Sequence, residues 1–450
     1  MTSSLRDLAL VTRRQALRFR SVARLATAVG AACGVARAAP LPVIPALAPA
    51  RDAPAVASAF VHVEPGLQVA LSGLVQTDWV AHRQSSQDEV DPSSGAALNQ
   101  DRFWLRSARL QLDVEQEIAL GRVALELNGV RELSVRPYEV FLGARAAPVA
   151  GLDLGVQFGL IRIPFGFDAV EPVLERPVLE RTQMVRALFP GQRDLGIQVQ
   201  ARYRAFRLEV AVMNGAPVGE SGALGIELNA AKDMIARLGV EVRPDESVRV
   251  AAGVSGASGR GLHLGAAATK DRLAWSDGNE DGFVALSELS VVPGVPATVS
   301  RGFSHFALGA DARVSVALPV LGELSLRAEI IRAQNLDRAL EPADPIASGR
   351  DLREIGWAVG AALNLTPLAQ LAAQYDTYRP DADARRSVGG EVVPLDPSYS
   401  TLAIALSVRL PPLRLIAEYD HNDNRLGRSA SGSPARLRDD VFTLRGELGF

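Results

Sequence analysis

Cysteine occurs once in 450 residues, at Cys33. That excludes a disulfide framework and a thiolate metal site. Lysine occurs only at Lys232 and Lys270, so arginine supplies 46 of the 48 basic side chains. Any handling of anions must therefore rest on a few forked guanidiniums, which favour a binding site over a fast conduit. No apolar run approaches the roughly 18 residues of a membrane-spanning helix, which excludes a helical membrane protein. The formal net charge of −3 argues against nucleic-acid binding. G-x-S-x-G, P-loop and H-E-x-x-H motifs are absent, and His62, His82, His263, His305 and His421 are scattered without metal-ligand spacing. No enzyme is expected. What the chain does have is 48% hydrophobic residues against 22% charged, too much apolar material for a disordered protein.

Residues 1–38 read as a signal peptide. Arg13, Arg14, Arg18 and Arg20 make a positive start, Leu25 to Val35 a short apolar core, and Ala36-Arg37-Ala38 a small-residue cleavage site. Thr12-Arg13-Arg14-Gln15-Ala16-Leu17 also resembles a twin-arginine signal, so Sec and Tat export both stay open. Cleavage after Ala38 would remove seven arginines and Asp7, leaving 41 basic and 50 acidic residues and a net charge of −9. Residues 39–66, rich in Ala and Pro, read as a periplasmic linker.

From residue 67 to residue 450 the dominant period is two. Leu67, Val69, Leu71, Val75 and Trp79 alternate with Gln68, Ser72, Gln76 and Asp78, and Phe206, Leu208, Val210 and Val212 oppose Arg207 and Glu209. Sixteen such segments are predicted, joined alternately by tight turns and long loops. Turns are expected at Gly121, Ala147-Pro148, Pro244-Asp245-Glu246 and Pro411-Pro412 among others, and long loops at 81–101, 164–193, 215–234, 259–303, 336–352, 380–397 and 424–438. This predicts one all-β domain, a transmembrane antiparallel β-barrel of 16 strands with short periplasmic turns and long extracellular loops. A closed barrel satisfies every backbone group without an open edge in lipid. A soluble β-sandwich or propeller could alternate too. The export signal, the even count and the closing strand weigh against it, since Phe442, Leu444, Leu448 and Phe450 share one face of that strand. Aromatics at 5% are few for a barrel with aromatic girdles, although Trp79, Trp104, Trp357, Tyr203 and Tyr419 fall near strand ends.

Gly155-Val156-Gln157-Phe158, Ile163-Pro164-Phe165-Gly166, Phe189-Pro190-Gly191-Gln192-Arg193-Asp194-Leu195-Gly196 and Met213-Asn214-Gly215 resemble the phosphate-selective porin O/P family. Phe103-Trp104-Leu105-Arg106-Ser107-Ala108-Arg109-Leu110 is similar to that family's early strand. The resemblance spans about residues 67–450. It implies a homotrimeric outer-membrane channel whose long loops fold inward and whose constriction is lined by basic residues. It does not by itself imply phosphate.

By strand parity Arg109, Arg122, Arg237, Arg327, Arg414 and Arg445 point inward, as do Glu126, Asp311, Glu329, Glu418 and Glu447. The bland expectation for such residues is a transverse arginine–carboxylate network bracing the wall. Candidates for an anion path are Arg176, Arg181, Arg186 and Arg193 on the long loop 164–193, the third on its side of the barrel, with Arg109 on the wall, although Glu171, Glu175 and Glu180 share that loop. The expected partners are outer-membrane lipid and small hydrophilic or anionic solutes. A non-channel barrel in adhesion or secretion is the alternative, and a barrel hydrolase a remoter one.

One motif stands apart. Asp277-Gly278-Asn279-Glu280-Asp281-Gly282-Phe283-Val284-Ala285-Leu286-Ser287-Glu288 fits the twelve-residue EF-hand-like calcium loop. Asp277, Asn279, Asp281 and Glu288 would give side-chain oxygens, Phe283 a backbone carbonyl, and Gly282 the sharp turn. A structural Ca2+ is expected there, without long flanking helices. The competing reading is a plain acidic loop tip.

Overall fold

The computed structural model describes residues 61–64, 66–83, 101–128, 134–218, 229–277, 280, 282–283, 285–319, 321–388, 391–395, 398–424 and 440–450. The signal at 1–38 and most of the expected linker at 39–66 lie outside them. Within the linker stretch, Val61–Glu64 forms a short strand that pairs with the start of the first barrel strand.

The sixteen strands are β1 Leu67–His82, β2 Arg102–Gln116, β3 Ala119–Asn128, β4 Ser134–Val149, β5 Leu152–Arg162 and β6 Arg193–Tyr203. They continue as β7 Phe206–Met213, β8 Asp233–Val242, β9 Val248–His263, β10 Arg301–Leu318 and β11 Gly322–Gln334. The last five are β12 Arg353–Asn364, β13 Ala369–Arg379, β14 Tyr399–Leu410, β15 Leu413–Asn424 and β16 Val441–Gly449. Each pairs antiparallel with its sequence neighbour, and β16 returns to β1 from Leu74↔Gly449 to His82↔Val441. The barrel is closed. Phe450 extends the seam, its N–H donating to Gly73 O and its carbonyl accepting from Gly73 N. Two expected turns move. The first is at Glu117-Ile118, where Glu117 takes a positive φ, so Gly121 lies inside β3. The other is at Ala150-Gly151, beyond Ala147-Pro148, because Gly151 rather than proline supplies the left-handed residue.

Alternation assigns the faces. Phe103, Leu142 and Phe158 are 83%, 73% and 67% exposed, and they face outward with the other large apolar side chains of the wall. An outward apolar belt is what surrounding hydrocarbon requires. Inward lie paired charges. Arg109 meets Glu126 at 2.9 Å, Arg122 meets Asp113 at 2.6 Å, and Arg445 meets Asp78 at 2.7 Å. Arg237 and Asp311 form another such pair. The transverse network is thus built between neighbouring strands.

Three irregularities interrupt the register of the barrel strands; one lies beside the β4–β5 turn, between Ala146 and Val149, and two are β-bulges that face the loop. Gln76 pairs with Ser107 and Thr77 with Leu105, which leaves Arg106 as the extra residue on β2. Ala124 pairs with Glu139 and Leu125 with Pro137, which leaves Tyr138 extra on β4. Pro137 has no N–H to give a regular ladder, and an extra residue re-aims its side chain. Arg106 and Tyr138 both reach groups of the lumen, described next.

Candidate functional site

The third connection on the long-loop side, residues 163–192, does not extend outward. It folds into the barrel and carries the apolar core with it. Ile163, Phe165, Met184, Val185, Leu188 and Phe189 are all buried. Burying side chains of this size contributes about 1.5–3 kcal/mol each. The loop contains one short helix, α1, Gln183–Leu188, whose N-terminus is capped by Thr182 Oγ1 accepting from Val185 N. Thr182 is itself held by Asp168, its N–H and its hydroxyl each donating to Oδ2 at 2.9 Å.

The wall has space where the loop lands. A Cβ on Gly309 of β10 would lie 2.8 Å from the Phe165 ring, and one on Gly356 of β12 would lie 2.6 Å from Met184 Cβ. These two glycines are sockets for the loop. Phe165 also stacks against Phe189 with ring centroids 4.7 Å apart. Wall carboxylates accept from the loop backbone: Glu329 from Asp168 N at 3.0 Å, Glu418 from Leu179 N at 2.7 Å, and Asp376 from Gln183 N at 3.0 Å. Wall arginines donate to its carbonyls, Arg414 to Leu174 and Arg176, and Arg445 to Leu179. A buried loop must pair its backbone groups, and charged partners pair them most strongly.

Two acidic residues of the loop, Glu171 and Glu180, are drawn toward the wall. Glu171 accepts from Arg327 at 3.0 Å. Glu180 accepts from Arg106 at 3.0 Å and from Arg445 at 3.3 Å. Burial opposes the charge of Glu180, but the guanidiniums of Arg106, Arg445, Arg186 and Arg176 outweigh it and hold the carboxyl below the ordinary range.

The five arginines singled out in the sequence take different positions. Arg181 donates to Gln192 Oε1 and to the Glu171 carbonyl, each at 2.9 Å, and lies 3.9 Å from Asp168. Desolvation, followed by the nearby charge of Arg176, lowers it to about 10, so it stays charged at neutral pH. Arg176 is 7% exposed, its Nε has no hydrogen-bond partner, and no carboxylate among the described residues pairs with its side chain. Arg186, in the last turn of α1, is half-buried near Glu180. Arg193 and Arg109 lie 3.5 Å and 3.2 Å from the Tyr138 ring centroid. Two guanidiniums this near one ring must occupy opposite faces, so Tyr138 is stacked between a residue of the loop's end and one of the wall. Sequence reasoning missed Tyr138, Arg106 and Asp376. The loop's run of apolar residues was the available sign that it turns inward.

No family model matches the chain, and no curated protein does. Solved structures do. The outer membrane channel DcaP of Acinetobacter baumannii superposes with a TM-score of 0.51 at 11% identity, covering 86% of this chain and 98% of that one. The anion-selective porin from Comamonas acidovorans gives 0.50 at 11% identity over 85% of this chain and 100% of that one. Pseudomonas putida OprB gives 0.50 at 12% identity over 86% and 95%. The chain shares their fold.

The calcium motif sits on a short hairpin, Arg272–Trp275 paired with Leu289–Val292. Asn279 and Asp281 lie outside the described residues. Gly282 N donates to Asp277 Oδ2 at 2.8 Å, with Gly282 at φ +75°. Glu288 Oε2 accepts from Ala285 N at 3.2 Å and from Trp275 Nε1 at 3.1 Å, and residues 286–288 form one 3-10 turn.

Proposed function

We propose that this chain is an outer-membrane porin through which small hydrophilic solutes diffuse passively, with a preference for anions set at the inward loop. The observation that carries the reading is the disposition of charge on residues 163–192. The loop's Glu171 and Glu180 are engaged by wall arginines, while its own Arg176 pairs with no carboxylate among the described residues and Arg181 meets only Asp168, at 3.9 Å. The cationic part of the loop is therefore a local patch centred on Arg176, with the Arg109–Tyr138–Arg193 stack of the lumen as a second cationic feature. Arginine forks suit carboxylate and phosphate groups, which keeps a phosphate-selective character within the proposal. A homotrimer is proposed on the family resemblance. The purified protein in a planar bilayer should conduct, and under a KCl gradient its reversal potential should have the sign for chloride preference. The opposite sign would overturn the anion preference, and an absence of conductance would leave a non-channel barrel.

A second proposal concerns Asp277–Glu288 as a structural calcium loop. Its support is the Gly282 N–H folded back onto the first carboxylate, at the position where such loops make their sharp turn. Asp277, Asn279, Asp281, the Phe283 carbonyl and Glu288 would hold the ion and clip the extracellular hairpin. Isothermal titration should detect Ca2+ uptake by the full chain and lose it in Asp277→Ala and Glu288→Ala. No heat up to about 10 mM Ca2+ rejects the site, given the affinity of extracellular modules.

A further inference from the structure

The long connection between β9 and β10 continues the wall upward as a two-stranded ribbon. His263 pairs with Arg301 at the top of the barrel, and Trp275 pairs with Leu289 twelve residues further along each strand. No residue is gained or lost between these pairs, so the ribbon keeps the register of β9–β10. Within it Thr298 N donates to the Ala266 carbonyl and Thr269 N to the Val295 carbonyl, each at 2.9 Å. Threonine hydroxyls close the ladder from the other side. Thr298 Oγ1 accepts from Ala266 N and Thr269 Oγ1 from Val295 N, each at 2.8 Å. At strand spacing the ribbon reaches about 40 Å beyond His263.

The unbroken register makes the two faces of the ribbon unlike. Odd-numbered residues share one face, where Leu273 lies beside Val291 and Trp275 beside Leu289. Leu273 is 67% exposed, Val291 62% and Trp275 46%, and the exposed Val295 and Val299 continue this face toward the barrel. Its one charge, Asp271, is turned back onto the ribbon, with Oδ1 accepting from Gly294 N at 2.7 Å. The opposite face carries Lys270, Arg272 and Ser290. The odd face leaves on the order of 500 Å2 of apolar surface in water, and a two-stranded ribbon has no second layer to cover it.

We propose that this face is a contact between two copies of the chain, the ribbons packing face to face about a two-fold axis along the membrane normal. Barrels inserted the same way carry their ribbons to the same height, which no other partner does by construction. Leu273 of one copy then faces Val291 of the other, and Trp275 faces Leu289. An almost uncharged face is self-complementary, as a two-fold contact requires. Two such faces bury about 1,000 Å2 together, the size at which a specific interface begins. Copies held in one membrane are already oriented, so a contact of this size suffices. It lies above the membrane and is separate from any packing of barrel walls.

The test places one cysteine on either face of the full chain in a Cys33→Ser background and inserts the barrel into lipid vesicles. A bismaleimide spanning about 10 Å, the distance between facing sheets, is then added. Val291→Cys should give a cross-linked dimer, because a two-fold contact brings the residue near its own copy. Ser290→Cys, on the opposite face, should cross-link at least tenfold more slowly. Adding Leu273→Ser to Val291→Cys should weaken dimerisation about tenfold, as the loss of one buried leucine implies. These positions lie outside the barrel strands, and the heat-dependent gel shift checks that each variant is folded. Equal cross-linking from the two faces, no dimer from folded Val291→Cys, or a yield unmoved by Leu273→Ser each overturns the proposal. Conductance is read in parallel. A dimer without any channel would sink the porin reading and leave this one standing.

Discussion

The double variant Phe165→Ala with Met184→Ala is expected to release the inward loop from the wall and raise single-channel conductance. Phe165 fills the space over Gly309 and Met184 the space over Gly356, and both side chains are fully buried. Truncating a buried Phe costs about 3–5 kcal/mol and a buried Met about 2–5 kcal/mol. Both losses fall on the contact between loop and barrel, because neither side chain belongs to a strand. The strand ladders are untouched, so the barrel should still fold and show its gel shift. The loop would keep its hydrogen bonds to Glu329, Asp376 and Glu418, but with loosened packing it should open intermittently. Trypsin gives an independent readout, since Arg181 and Arg186, followed by Thr182 and Ala187, lie on the freed segment. The parent should resist cleavage there and the variant should be cut. Unchanged conductance together with unchanged protease resistance would show that the loop is not held by these sockets.

Much of the wall was legible in the sequence because a strand's faces follow a period of two, with apolar side chains outward and polar ones inward. Sixteen segments were expected and sixteen strands close the barrel. Parity also placed Arg109, Arg122, Arg237 and Arg445 correctly in the lumen, where they pair across strands. It failed at two places for one reason. A bulge inserts one residue and resets parity, so Arg106 and Tyr138 could not be assigned a face by counting. Nothing local in the sequence marks the first bulge, while Pro137 marks the second only once its partner strand is known. The partners of the loop were illegible for another reason. Glu418 lies 239 positions from Leu179 in sequence, and no periodicity connects them. The burial of Phe165, Val185 and Leu188 was legible in kind, since a solvated loop has no reason to hold so many apolar side chains.

Replacing Arg176 and Arg181 together by glutamine is expected to lower the chloride-to-potassium permeability ratio about threefold at low salt, from the loss of two charges acting across several ångströms of screened water. The two positions carry the prediction because of what surrounds them. Wall arginines hold Glu171 and Glu180, so removing the loop's own cations leaves those two carboxylates neutralised from the other side, while Asp168, 3.9 Å from Arg181, keeps the Thr182 N–H and hydroxyl as donors. Arg109 and Arg193 would still flank Tyr138, so preference should fall without reversing. Arg181 also supports the loop through Gln192 and the Glu171 carbonyl, and its loss could alter the shape of the opening as well as its charge. Ionic strength separates the two effects. At 1 M salt the Debye length shrinks to about 3 Å, and a purely electrostatic difference between parent and variant should nearly vanish. A change in shape would persist at every salt concentration and would appear in conductance rather than in selectivity. A permeability ratio that does not move at low salt would remove Arg176 and Arg181 from the anion path.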